Sequence, residues 1–144
     1  MRRRPMSILG AGVVIGFALN LMGWLGNVFL LGPMWQRAFV GATSTDWRDS
    51  PWRDLFSLLP DFIYGITVCW LYVALIPRYG ASLTTALRAS ALIAMVGVVT
   101  TYFGIANSGL LPWSISAATT LLALVTFVPG AWLVDRLLRP SAQP

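Results

Sequence analysis

The sequence predicts an all-α membrane protein, a four-transmembrane-helix bundle with a Trp-rich outer loop. Three observations carry that prediction. Four apolar runs, roughly 8–31, 55–76, 83–105 and 113–133, are each about 20 residues or slightly longer, the length a helix needs to cross ~30 Å of hydrocarbon. Charged residues make up only 10% of the chain and hydrophobic ones 57%, whereas a soluble domain carries about 25% charged residues. The connections between runs are too short for a second folded unit, so residues 1–144 read as a single four-helix transmembrane domain.

The first run follows Arg2, Arg3 and Arg4. It is too long for the apolar region of a signal peptide, which spans about 7–15 residues. The small-residue pattern Val40-Gly41-Ala42 falls well past it. A retained helix is therefore expected. Within it Gly12, Gly16, Asn20, Gly23 and Asn27 step by 4, 4, 3 and 4, which places them on one helical face. Glycines on such a face let another backbone approach closely, and asparagine amides can hydrogen-bond across the contact. The expected role of this face is helix packing.

The first connection, from Gly32 to Asp54, holds Trp35, Trp47 and Trp52 beside Arg37, Arg48 and Arg53. Tryptophan next to arginine suits the headgroup layer, where an amphipathic ring keeps one wet edge. These six residues are the expected interfacial or partner-binding loop, at one level with Trp113. A short helix lying on the membrane is expected over Met34–Val40. Ser50-Pro51 reads as a helix N-cap followed by proline at the first helical position, with a kink at Pro60.

The second run contains Asp61, read as the one acidic residue inside the apolar zone and as a polar site. An intramembrane carboxylate is a functional-site hypothesis by default. Its place near the outer end of the run, within reach of the outer arginines and just after Pro60, favours a structural cap or ion pair instead. Gly65, Val68 and Tyr72 continue its face.

In the third run Ser90, Ala94, Gly97, Thr101, Gly104 and Ser108 form a second small-residue face. Arg88 points away from it and is expected to reach the headgroups. The fourth run opens at Pro112-Trp113 and carries Thr119, Ala123, Thr126 and Gly130, with a kink expected at Pro129-Gly130.

The formal charge of +5 does not signal nucleic-acid binding, because the arginines form no face or stripe. It signals topology. Arg2, Arg3, Arg4, Arg78, Arg88, Arg136 and Arg139 fall on one side of a four-span chain, and Arg37, Arg48 and Arg53 on the other. The positive-inside rule then places both termini in the cytoplasm. The chain has no histidine and one cysteine, Cys69. Histidine-ligated haem, zinc or copper and Cys-x-x-Cys redox chemistry are excluded, and no cofactor or metal is expected. Gly10-Ala-Gly12 lacks the preceding strand that a dinucleotide fingerprint requires. No residue pair shows the pattern of general acid–base catalysis.

The glycine-rich first helix running into Asn20-Leu-Met-Gly-Trp24, then Leu31-Gly-Pro-Met-Trp35, and the Thr85-Ala-Leu-Arg88 opening of the third helix, resemble small bacterial four-helix integral membrane proteins of unknown function. The resemblance implies a fold and a bacterial inner-membrane location, and brings no catalytic residue with it. The expectation is a non-catalytic protein acting through helix packing, as an accessory subunit of a membrane complex or as a homo-oligomer. Its partners would be the lipid bilayer and other membrane subunits or itself. The rival expectation is a minimal oligomeric transporter or pore using Asp61, Asn20 and Asn27.

Overall fold

The structure, a computed structural model, describes residues 6–38 and 52–139, with the backbone alone for 52–57. Six α-helices and one π-helical stretch follow in order: α1 (Ile8–Phe29), α2 (Gly32–Ala38), α3 (Trp52–Tyr79), α4 (Leu83–Ile93), the π segment (Ala94–Val99), α5 (Thr100–Asn107) and α6 (Trp113–Leu138). α4, the π segment and α5 run on as one rod. Four helical spans are therefore long and apolar enough to cross a membrane, and the protein is an all-α four-helix membrane bundle.

Local chemistry sets the helix ends. The Ser7 hydroxyl accepts from the Gly10 N–H at 3.1 Å and caps α1. Ser82 does the same for α4 through the Thr85 N–H. Between α3 and α4 the chain reverses at Gly80, and between α5 and α6 at Gly109; both have φ near +75°, a conformation that glycine adopts without a Cβ penalty. α2 occupies most of the stretch expected to lie on the membrane. The Ser50-Pro51 cap and the side chains of Trp47, Arg48, Trp52 and Arg53 lie outside the described residues. Pro60 sits within a continuous α3, as Pro77 does, and Pro129 within a continuous α6.

The helices pack as a square. α1 lies against α3, α3 against α4, α4 and α5 against α6, and α6 against α1. The core at their centre is built of Ala11, Ile15, Leu19, Val68, Cys69, Tyr72, Ala86, Ala89, Ala94, Val98, Phe127, Ala131 and Val134. Cys69 is fully buried there, as expected of a small apolar packing residue. The bundle's outer surface is apolar: Leu9, Phe17, Phe29, Trp70, Val96, Phe103 and Leu121 are all more than half exposed, as lipid-facing residues are.

The tightest contact is α1 on α3. A Cβ on Gly12 would stand 2.6 Å from the Ile66 Cα, one on Gly16 2.8 Å from the Phe62 Cα, and one on Gly65 2.4 Å from the Gly12 carbonyl oxygen. The backbones touch because all three residues lack a side chain, the small-residue packing that membrane helices use. Gly26 gives α6 a similar approach, through Leu122.

Candidate functional site

The Asn20 amide of α1 donates to Asp61 of α3, Nδ2 to Oδ2, at 3.0 Å. The two residues meet because α1 and α3 are antiparallel and held in contact by Gly12, Gly16 and Gly65. α3 begins at Trp52, three residues before the predicted span, and Asp61 lies nine residues into it. Nine residues also separate Asn20 from Phe29, the end of α1, so the two side chains stand at one level, about 13 Å from those helix ends at 1.5 Å per residue. Asp61 lies three residues into the apolar span Leu58–Tyr79. Among the described residues Asp61 has Asn20 as its hydrogen-bond partner. Arg37 is exposed on α2, and Arg48 and the Arg53 side chain lie outside the described residues.

Tyr64, one turn along α3, packs its ring over Gly97, where a Cβ would stand 2.6 Å from the ring edge. It also meets Phe127 of α6 edge-on, with centroids 6.2 Å apart. Gly97 belongs to the π segment. There the Thr100 N–H bonds to the Met95 carbonyl, five residues back, and the Thr100 and Thr101 hydroxyls donate to the Val96 and Gly97 carbonyls. The wide turn turns the helix relative to its regular course. Before and within that turn the buried positions are Thr85, Ala86, Ala89, Ser90, Ala94 and Val98; beyond it Ala106 alone is buried.

The predicted packing face of this span thus holds only in part. Ser90 and Ala94 are buried and Gly97 is covered by Tyr64, but Thr101, Gly104 and Ser108 rotate onto the surface. Nothing lies within 4 Å of a Cβ built on Gly104. On α1, Gly12, Gly16 and Asn20 pack as expected, whereas Gly23 meets nothing within 4 Å among the described residues. Asn27 does not cross to another spanning helix. Its amide donates to the Gly23 carbonyl at 2.8 Å, and its Oδ1 accepts from the Trp35 indole N–H at 2.8 Å, which ties α2 to the end of α1. On α6, Thr119, Thr126 and Gly130 are buried as expected; Thr126 donates to the Ala123 carbonyl at 2.8 Å.

A second polar cluster was not foreseen. Asp135 is 3% exposed, so a second carboxylate is buried within the bundle. The fully buried Tyr72 hydroxyl donates to Asp135 Oδ1 at 2.9 Å. Arg139, one turn on, donates through Nε at 3.1 Å and through its second guanidinium nitrogen to Oδ2. This hydrogen-bonded ion pair raises the Arg139 guanidinium above its ordinary pKa. α6 runs five residues past the predicted span end at Leu133, to Leu138, and carries Asp135 in its last turn. The signals available were the four-residue Asp135–Arg139 spacing and the tyrosine on the Asp61 face.

The other described arginines at that end lie on aromatic rings. Arg88 stands 4.7 Å and Arg78 5.5 Å from the Tyr79 centroid, and Arg136 5.3 Å from that of Trp132. Three buried hydroxyls, Ser90, Ser116 and Thr119, have no hydrogen-bond partner among the described residues. The described residues contain no group of three His, Cys, Asp or Glu able to hold a metal.

Comparison of the chain with protein-family models, curated proteins and solved structures found no match.

Proposed function

We propose that this is a non-catalytic integral membrane protein that works through helix packing, as an accessory or assembly subunit of a larger membrane complex or as a homo-oligomer. In this reading it sits in a bacterial inner membrane with both termini in the cytoplasm, as in the small bacterial four-helix proteins it resembles. The seven-to-three arginine split supports that orientation. The observation that carries the reading is how the small residues are used. Gly12, Gly16 and Gly65 are consumed by contacts within the chain. Among the described residues nothing lies within 4 Å of a Cβ on Gly104, and Thr100 and Thr101 are exposed next to it. Small residues on a membrane helix surface permit close approach by another helix, and no described residue covers these. A photo-crosslinking residue placed at Gly104 in native membranes tests this. Capture of a second copy or of a distinct membrane protein supports the reading; labelling of lipid alone contradicts it.

One observation favours a second reading, a minimal oligomeric transporter or pore. It is the Asn20–Asp61 pair inside an apolar span, where a carboxylate is costly to keep without a role. Asn27, held by Gly23 and Trp35, drops out of that route. Reconstitution into liposomes with a flux assay separates the two readings.

A further inference from the structure

We propose that Arg78, Tyr79 and Arg88, where α3 turns into α4, seat the headgroup phosphate of one anionic phospholipid. Such a site is independent of the helix-packing reading: its ligand is a lipid, and no second protein is needed to fill it.

Two guanidinium groups from different helices converge on one ring. Arg78 stands 5.5 Å and Arg88 4.7 Å from the Tyr79 centroid, so the two cations are at most about 10 Å apart. Neither has a carboxylate partner among the described residues. The turn that carries them is braced from below. The buried Thr85 hydroxyl donates to the Gly80 carbonyl at 2.8 Å, and the Ser82 hydroxyl accepts from the Thr85 N–H at 3.2 Å. Ring and arginines are thus gathered before any ligand arrives, which lowers the ordering cost of binding. A phosphate accepts bidentate bonds from guanidinium groups, and an anion beside two cations this close offsets their mutual repulsion.

The acidic side chains of the chain cannot supply that anion. There are five. Asp135 is held by Tyr72 and Arg139. Asp61 is bonded to Asn20 and lies 17 residues before Arg78 on α3, about 25 Å along the helix. Asp54 stands at the far end of α3, whose 28 residues span about 40 Å. Asp46 and Asp49 precede Trp52 by six and three residues, a reach of at most about 22 Å, so neither comes back to Tyr79. The level of the site selects a lipid over a soluble anion. Arg88 lies five residues inside the apolar span Leu83–Asn107, yet its guanidinium returns to Tyr79 at the end of α3, the course of an arginine that snorkels to the headgroups. Leu83, Leu87 and Leu92 are exposed on the same helix, an apolar flank for acyl chains. Two uncompensated cations favour a headgroup of net negative charge over a zwitterionic one, and basic pockets between membrane helices bind such headgroups.

The test is native mass spectrometry of the full chain, purified in mild detergent and titrated with dioleoylphosphatidylglycerol or dioleoylphosphatidylcholine. Phosphatidylglycerol should be retained in preference to phosphatidylcholine, with an affinity that Arg78→Gln and Arg88→Gln each lower about fivefold. Tyr79→Leu should lower it too, because the ring that gathers both arginines is gone. Arg136→Gln removes a charge at the same end of the bundle, from the Trp132 ring of α6, and should change affinity by less than about twofold. Equal retention of the two lipids overturns the proposal. So does a loss in Arg136→Gln as large as in Arg88→Gln, because the attraction then belongs to the basic surface as a whole. Displacement of the lipid by millimolar inorganic phosphate also overturns it, since the seat then takes a soluble anion. Should Tyr79→Leu fail to fold, the arginine variants decide, both side chains being exposed: unchanged affinity in either one overturns the site.

Discussion

Replacing Gly65 by alanine adds one carbon at the point where α1 and α3 touch. That Cβ would stand 2.4 Å from the Gly12 carbonyl oxygen and 2.6 Å from the Gly16 nitrogen. Both neighbours are backbone, so no rotamer change relieves the contact. Ordinary van der Waals contact begins near 3.4 Å, so the helices must separate locally by about 1 Å. The separation is shared by the whole seam, including Gly12 over Ile66 and Gly16 over Phe62. It also stretches the 3.0 Å Asn20–Asp61 bond toward distances at which hydrogen bonds fail. Overpacking of this kind costs about 1–3 kcal/mol, and the weakened hydrogen bond adds about 1 kcal/mol. Reversible unfolding in mixed micelles reads the loss. Gly104→Ala is the matched control: nothing lies within 4 Å of its new methyl group, so its stability should change by no more than about 0.5 kcal/mol. If Gly65→Ala unfolds no more readily than Gly104→Ala, the glycine seam is not what holds α1 on α3.

Tyr72→Phe should cost about 1–3 kcal/mol, because a buried bond to a carboxylate is lost. Arg139→Gln should cost less than Tyr72→Phe, because the arginine side chain is 52% exposed and solvent weakens such pairs. The same unfolding assay checks the order, and a larger loss in Arg139→Gln would contradict it. A cytoplasmic reporter fused after Pro144 should be active and a periplasmic one silent; the opposite pattern sinks the proposed orientation. If the tryptophan loop binds a partner, Trp47→Ala should weaken association by about 2 kcal/mol or more. Full partner retention in Trp35→Ala, Trp47→Ala and Trp52→Ala would leave those rings with headgroup contacts alone.

The spans were legible in the sequence because helix length against bilayer thickness is a one-dimensional property. Ile8 and Leu83 mark the observed starts of α1 and α4, and Trp113 that of α6. The α1 packing face was legible for the same reason: a regular helix turns spacing into direction, and Gly12, Gly16 and Asn20 obey it. Thr101 and Gly104 were misplaced because a single π turn rotates everything beyond it, and the Ala94–Val99 sequence carries no proline to announce that turn. Asp135 was missed because hydropathy ends a span at the first charge, whereas a buried tyrosine and an arginine one turn away let the helix carry a carboxylate inside. The Asn20–Asp61 bond was not legible because it depends on the register of α1 against α3, which spacing along a single helix does not give.

The central claim is that the surface left open by intrachain packing is covered by another membrane protein. Purification from native membranes in mild detergent, followed by native mass determination, tests it most directly. The account predicts a particle heavier than the 15.7 kDa chain after detergent and lipid are subtracted, either a multiple of that mass or the chain with a distinct subunit. It also predicts that Gly104→Leu reduces that particle to the single chain without unfolding it. A monodisperse single chain, with no partner retained across several mild detergents, would contradict the account.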